Sequence, residues 1–300
     1  MKIGDPTLDQ LRIFLSVVEH GTFGGAARAM GRAVSAISYG IAGLEAQLGI
    51  SVFEREGSRK PVLTPAGEGL LAEARAVADR VDALLAKTQS VHAGLESRVS
   101  IVIDVMVPGE ATASVLRRFR REYPTVALTL NVEGLGAVAQ CLLDEEAEVA
   151  IGGPVIADHP SLERKLIGKI ELIPVAVPDH PLARAITAGT ITPGESRQHL
   201  QLVLADRSPL TQGREFSVLS PQTWRLGDLG AKHSLLKEGL GWGNMPRAMV
   251  AADLAAGALV ELDLPEAPGD DYRLRALWRR DAQPGPAARW LIEAFGEALT

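Results

Sequence analysis

From Leu70 to Val91 the chain runs without a glycine or proline, and two apolar stripes thread the segment. Leu71, Ala74, Ala78, Val81, Leu85, Thr88 and His92 alternate spacings of three and four, and Leu70, Val77, Leu84 and Val91 recur every seventh residue. Both patterns return side chains to one face of an α-helix. Thr64 offers a cap, and Pro65 stands at the first helical position, where its missing N–H costs nothing. A helix is therefore expected over 65–95. At ~1.5 Å per residue it spans about 45 Å, more than a small core can cover. The seam predicts pairing with a second copy, the alternative being a long helix packed on its own chain. This helix divides the sequence into two parts with different grammars.

Upstream, short helical periods dominate. Leu8, Leu11, Phe14, Leu15 and Val18 mark a helix over Leu8–His20, stopped by Gly21. Thr22 caps a second, Phe23–Met30, with Ala26, Ala27 and Met30 inward, and Gly31 breaks it. A third runs from about Ala33 to Leu48, burying Val34, Ile37, Ile41, Leu44 and Leu48, and Gly49 closes it. Two helices joined by a tight glycine turn make a helix-turn-helix, whose second helix protrudes. Ile50–Arg55 and Val62–Thr64 read as short strands flanking a basic loop, which makes a wing. The net charge of −6 hides an asymmetry: residues 1–64 carry +1 and the remainder −7. A small basic surface on an acidic chain suits DNA contact through one end.

Beyond Val99, strands alternate with helices. Strands are expected at Ser100–Val105, Ala127–Val132, Val149–Ile151, near Glu171–Val177, and at Gln201–Leu204, Leu259–Leu262 and Tyr272–Trp278. Helices are expected at Glu110–Tyr123, Leu135–Glu145, Asp228–Glu238, Arg247–Ala256 and Pro286–Leu299, while Asp179–Pro193 reads as loop. Such alternation implies parallel sheet with covered faces, in one sheet or in two smaller ones with a cleft between.

With these residues in view, the chain resembles the LysR-type transcriptional regulators. The resemblance is carried by Leu11-x-x-Phe14, Gly21-Thr22-Phe23-x-x-Ala26-Ala27, Ser35-Ala36-Ile37-Ser38, Leu44-Glu45-x-x-Leu48-Gly49, Phe53-Glu54-Arg55 and Leu63-Thr64-x-Ala66-Gly67. Downstream, Phe119-x-x-Glu122-Tyr123-Pro124, Val149-Ala150-Ile151-Gly152, Pro178-Asp179-His180-Pro181-Leu182 and Gly239-Leu240-Gly241-Trp242-Gly243-x-Met245-Pro246 continue it. The resemblance implies an α/β protein with an N-terminal all-α winged helix-turn-helix (1–64), a linker and dimerisation helix (65–95) and a periplasmic-binding-protein-like effector domain (99–300). That domain would have two subdomains, about 99–165 with 267–300, and about 166–266. It also implies a homodimer or tetramer on double-stranded DNA, and a small effector between the subdomains. Two departures stand out: Val34 occupies a position where the family often has Gln, and Tyr39 one where a basic or polar residue is common. Fewer side chains then make bidentate base contacts, and the operator is read partly through shape.

Ser35, Ala36, Ser38 and Tyr39 are expected to face the major groove, where hydroxyls donate or accept and a methyl packs on thymine. Arg32, Arg55, Arg59 and Lys60 are expected at phosphates, though Arg59 also suits a narrow minor groove and Arg55 a structural ion pair. The effector site is expected at strand ends and helix starts: Val105, Met106, Val107, Pro108, Gly109, Asn131, Asp206, Arg207, Ser208, Lys232 and Trp242. Arg207, Ser208 and Lys232 would hold a carboxylate, with Met106 and Val107 as an apolar wall. The competing reading leaves Arg207 in solvent and pairs Lys232 with Asp228 across one helical turn.

Other classes fit less well. The six histidines are scattered without metal-ligand spacing, and no nucleophile elbow, phosphate loop or dinucleotide glycine motif occurs, so neither an enzyme nor a metal or cofactor is expected. A transporter's solute-binding protein would need a signal or lipid anchor in place of the helix-turn-helix. The lone Cys141 reads as a buried small hydrophobe, and a cytoplasmic location without membrane insertion is expected.

Overall fold

The computed structural model describes residues 4–54, 60–92, 94–155, 158–267 and 269–299. Helix α1 (Leu8–His20) starts where Thr7 and Gln10 close a capping box, each side chain accepting the other residue's backbone N–H. Thr22 caps α2 (Phe23–Met30) by accepting the Gly25 N–H, and Gly21 and Gly31 end the first two helices in left-handed conformation. Helix α3 (Val34–Leu48) crosses α1 closely at Gly40, where a Cβ would stand 2.5 Å from Ile13 Cδ1. Helix α4 covers Pro65–His92.

The core of this part holds Leu11, Ile13, Phe14, Val17, Ile37, Ile41 and Leu44, together with Ala74 of α4. Phe53 is clasped between α1 and α2, its ring 5.6 Å from Phe14 and 5.8 Å from Phe23. It also pairs with Leu63 across the base of the wing. Two details differ from the sequence reading. Ile13 and Val17 are buried because α1 is covered on more than one side. Val34, expected inside, is 49% exposed, since everything from Gly31 to Ala36 projects beyond the core.

The chain divides into two compact units, 1–92 and 93–300. In the second, β1 (Arg98–Asp104) pairs in parallel with β2 (Ala127–Glu133) and β3 (Val149–Gly152), connected through α5 (Gly109–Glu122) and α6 (Gly136–Leu143). The rest of the main sheet is antiparallel. Strand β4 (Leu162–Ala176) runs along the whole of β9 (Asp270–Arg279), pairing from Leu162 to Leu172 with an irregularity between Leu166 and Gly168. Before that point β9 also pairs with β3; beyond it β4 pairs with β7 (Gly243–Pro246) and β8 (Val260–Glu261). Two long strands thus run through both subdomains of a periplasmic-binding-protein-like fold.

Around the far end of those strands lie α7 (Pro181–Thr187), β5 (Gln201–Leu204), β6 (Thr223–Leu226), α8 (Leu229–Lys237) and α9 (Arg247–Ala256); β5 and β6 form a small parallel sheet. Helix α10 (Pro286–Ala298) returns to pack its buried Leu291, Ile292 and Phe295 into the main core. Cys141 is buried among Val138, Leu142 and Leu277, and burial pushes its thiol up to about 11.

Candidate functional site

On α3 the buried face is Ile37, Gly40, Ile41 and Leu44, which leaves Ser35, Ala36, Ser38 and Tyr39 exposed on the opposite side, Tyr39 at 82%. The helix-turn-helix therefore presents all four on one protruding helix. Arg32, in the turn, donates to Asp9 at 2.8 Å, an exposed pair that holds the Asp9 carboxyl below its ordinary range. Lys60 is exposed at the edge of the wing, and Arg55 and Arg59 lie outside the described residues. On α4, Ala74 and Ala78 are buried, whereas Val77, Leu84 and Leu85 are exposed at 46%, 62% and 51%.

In the second unit the two subdomains enclose a cavity of about 280 Å³. Met106, Leu135 and Val155 wall one side, Leu202, Phe216, Lys232 and Asn244 the other, and Tyr272 of β9 contributes where the subdomains meet. Lys232 is the chemically distinctive wall. It is 3% exposed, its Nζ donates to the Asn244 carbonyl at 2.7 Å, and burial pushes its ammonium down to about 7. Lys232 does not pair with Asp228, whose carboxylate instead caps α8 by accepting the Ala231 N–H. Beside it the Asn244 Oδ1 is buried without a hydrogen-bond partner.

The other expected effector residues have different surroundings. Asp206 accepts the Gly136 N–H at the start of α6, at 2.9 Å, together with the Ser208 N–H and the Thr211 hydroxyl. Arg207 donates to Glu133 at 2.7 Å. Neighbouring residues 206 and 207 thereby link one subdomain to the other. Ser208 caps a single helical turn, accepting the Leu210 N–H. Trp242 is fully buried among Ala176, Leu182 and Leu262, its indole N–H donating to the Ser196 carbonyl, and it lines none of the cavities described. Asn131, Val107, Pro108 and Gly109 line none either, and Val105 faces a small depression with Arg207 and Asp228. Of the three residues expected to hold a carboxylate, the structure brings only Lys232 to the 280 Å³ cavity.

Asp104 and Tyr272 escaped the sequence reading. Asp104, 1% exposed, accepts the Tyr272 hydroxyl at 2.6 Å and the N–H groups of Met106 and Gly153. Gly153 makes room for the ring, since a Cβ there would stand 1.9 Å from the Tyr272 hydroxyl. An Asp inside the apolar run Ile101-Val102-Ile103-Asp104-Val105 was the available signal. Burial pushes its carboxyl up to about 6 in spite of those hydrogen bonds. The folded state thus holds a proton that the unfolded chain releases near pH 4, so the stability contribution is complete below that pH and is lost as pH rises through about 6. We expect the wild type to lose about 2–3 kcal/mol relative to Asp104→Asn between pH 4 and 7. Denaturant titrations followed by tryptophan fluorescence check this; parallel pH profiles would exclude it.

Comparison with known proteins agrees with this architecture. Residues 8–68 match the model of the bacterial regulatory helix-turn-helix protein, lysR family, and residues 92–300 match the LysR substrate binding domain. The chain is 28% identical over 265 residues to the HTH-type transcriptional activator AllS of Klebsiella pneumoniae, covering 87% of this chain and 96% of that one. It is 27% identical over 305 residues to the HTH-type transcriptional regulator AceR of Acinetobacter baumannii, covering 95% of each. Among solved structures it is similar to CrgA, a LysR-type transcriptional regulator from Neisseria meningitidis, with TM-score 0.51 at 22% identity over 97% of this chain and 98% of that one. It is also similar to full-length LysG of Corynebacterium glutamicum with bound effector Arg, with TM-score 0.50 at 20% identity over 98% of each. With an N-terminal helix-turn-helix for DNA and a two-subdomain effector-binding domain, the chain belongs to the LysR family of transcriptional regulators.

Proposed function

We propose that this regulator responds to a small carboxylate held in the 280 Å³ cavity by Lys232. The observation that carries the reading is a buried lysine lining that cavity with no carboxylate partner among the described residues. An ammonium removed from water is costly unless an anion joins it. A carboxylate ligand supplies that charge, and the apolar walls at Met106, Leu135, Val155 and Phe216 suit a hydrocarbon or aromatic body. The volume, just below the ~300–1,000 Å³ typical of ligand sites, favours a small metabolite. One structural relative, LysG, was solved with the effector Arg, a carboxylate-bearing molecule.

In the N-terminal unit, Ser35, Ala36, Ser38 and Tyr39 read bases, and Arg32, Arg55, Arg59 and Lys60 meet phosphates. Residues 1–64, 65–95 and 99–300 then serve as reader, linker and sensor of a cytoplasmic homo-oligomer without enzymatic activity. The exposed Val77, Leu84 and Leu85 on α4 supply an apolar stripe for a second copy. Among the described residues no helix is long and apolar enough to cross a membrane.

Calorimetry against a panel of small carboxylates tests the effector class. Lys232→Met should weaken the best binder at least tenfold, in line with a charge-assisted hydrogen bond. Wild-type affinity should fall above pH 7, where the free amine loses its charge. A carboxylate bound equally by wild type and Lys232→Met would refute the assignment.

A further inference from the structure

We infer that the effector is an elongated molecule with an acidic group at each end, the inner one on Lys232 and the outer one on Arg214. This inference rests on the reading of Lys232 given above. The 280 Å³ cavity adjoins a second, more open one of about 630 Å³, and the two share Leu135, Val203, Leu204, Glu215 and Phe216 as walls. The two therefore lie side by side, with Phe216 bordering both.

Three arginines line the outer cavity, and two are already paired: Arg207 with Glu133 and Arg225 with Glu215. Arg214 differs. Its guanidinium lies over the Phe216 ring, 5.2 Å from the centroid, and no carboxylate pairs with it among the described residues. The cation–π contact holds the guanidinium at the ring, and its N–H donors remain available to a planar acid group. The acids nearby do not compete for those donors. Glu215 is held by Arg225, and Asp206 by the Gly136 and Ser208 N–H groups and the Thr211 hydroxyl. Phe216 thus borders both spaces, the inner one lined by the buried Lys232 and the outer one by the exposed Arg214, and of the five shared walls only Glu215, itself neutralised by Arg225, is not apolar. A molecule with a single acidic group would satisfy only one of the two cations.

Matched pairs of probes separate the two ends: terephthalate against benzoate, and adipate against hexanoate, titrated calorimetrically into wild-type, Arg214→Ala and Lys232→Met protein. In at least one pair the diacid should bind the wild type about tenfold or more tightly than the monoacid. Arg214→Ala should bring the diacid down to the monoacid's affinity while leaving the monoacid unchanged. A diacid that binds no more tightly, or that keeps its advantage in Arg214→Ala, overturns the outer anchor; loss of monoacid binding in Lys232→Met would still uphold the inner one. If Lys232→Met changes neither series, or no probe binds the wild type, both anchors are wrong.

Discussion

Ser38→Glu is expected to weaken operator binding by at least a hundredfold while leaving fold and assembly intact. Ser38 is exposed on α3, one residue beyond the fully buried Ile37, so a longer side chain meets no core atom. Its cost falls on the complex. A carboxylate placed against base edges and phosphates meets like charge, and such juxtapositions cost several kcal/mol. In a dimer the penalty is incurred twice. Electrophoretic mobility shifts give the affinity, and sedimentation with circular dichroism reports assembly and fold. Operator affinity within threefold of the wild type would mean that α3 does not enter the groove.

Gly67→Ala is expected to destabilise the DNA-binding unit by about 2–3 kcal/mol, with little effect on the effector-binding one. Gly67 lies in the first turn of α4, where a Cβ would stand 2.2 Å from the Val52 carbonyl oxygen and 3.0 Å from Leu63 Cδ2. The backbone oxygen cannot rotate away as a side chain would, and Val52 is itself tied down. Its N–H donates to Glu45 Oε1 and its carbonyl accepts the Thr64 N–H. Added volume therefore parts the helix from the base of the wing. The four tryptophans, Trp224, Trp242, Trp278 and Trp290, all lie in residues 93–300, so the two units have separate reporters. Melting followed by far-ultraviolet circular dichroism should show an earlier first phase, while tryptophan fluorescence melts as in the wild type. Coincident, unshifted melts would show that the close approach at Gly67 is dispensable.

Much of the fold was legible where local sequence decides. Helices α1 and α9 and strand β5 have the limits expected from the sequence: a left-handed glycine, Gly21 or Gly257, ends each helix, and β5 is a short run buried throughout. The first half of β4 was missed. Its Glu163-Arg164-Lys165 run is charged and largely exposed, and what makes it a strand is β9, about a hundred residues downstream. Helix α7 lies within Asp179–Pro193, where Pro181, Gly189 and Pro193 signal a loop, and the cap that starts it is a histidine, His180, accepting the Leu182 N–H. The antiparallel half of the main sheet follows from the same long-range pairing, which strand-helix alternation does not encode.

The two sites divide along the same line. The exposed face of α3 could be inferred by subtraction, since Ile37, Ile41 and Leu44 have to point inward. The cavity was accessible only at single residues such as Met106 and Lys232. Phe216, Asn244 and Tyr272 come from segments that meet only after folding, and Arg207, a plausible anion holder from its charge, is engaged by Glu133 instead.

The most direct test of a DNA-binding regulator is capture of genomic fragments by the purified protein, followed by footprinting of the enriched sites at two salt concentrations. Enrichment of a partly palindromic site, protected at low salt and released steeply as salt rises, is the predicted result, because phosphate contacts release counterions. Fragments recovered without a shared site, or a footprint indifferent to salt and to Ser38→Glu, would contradict it.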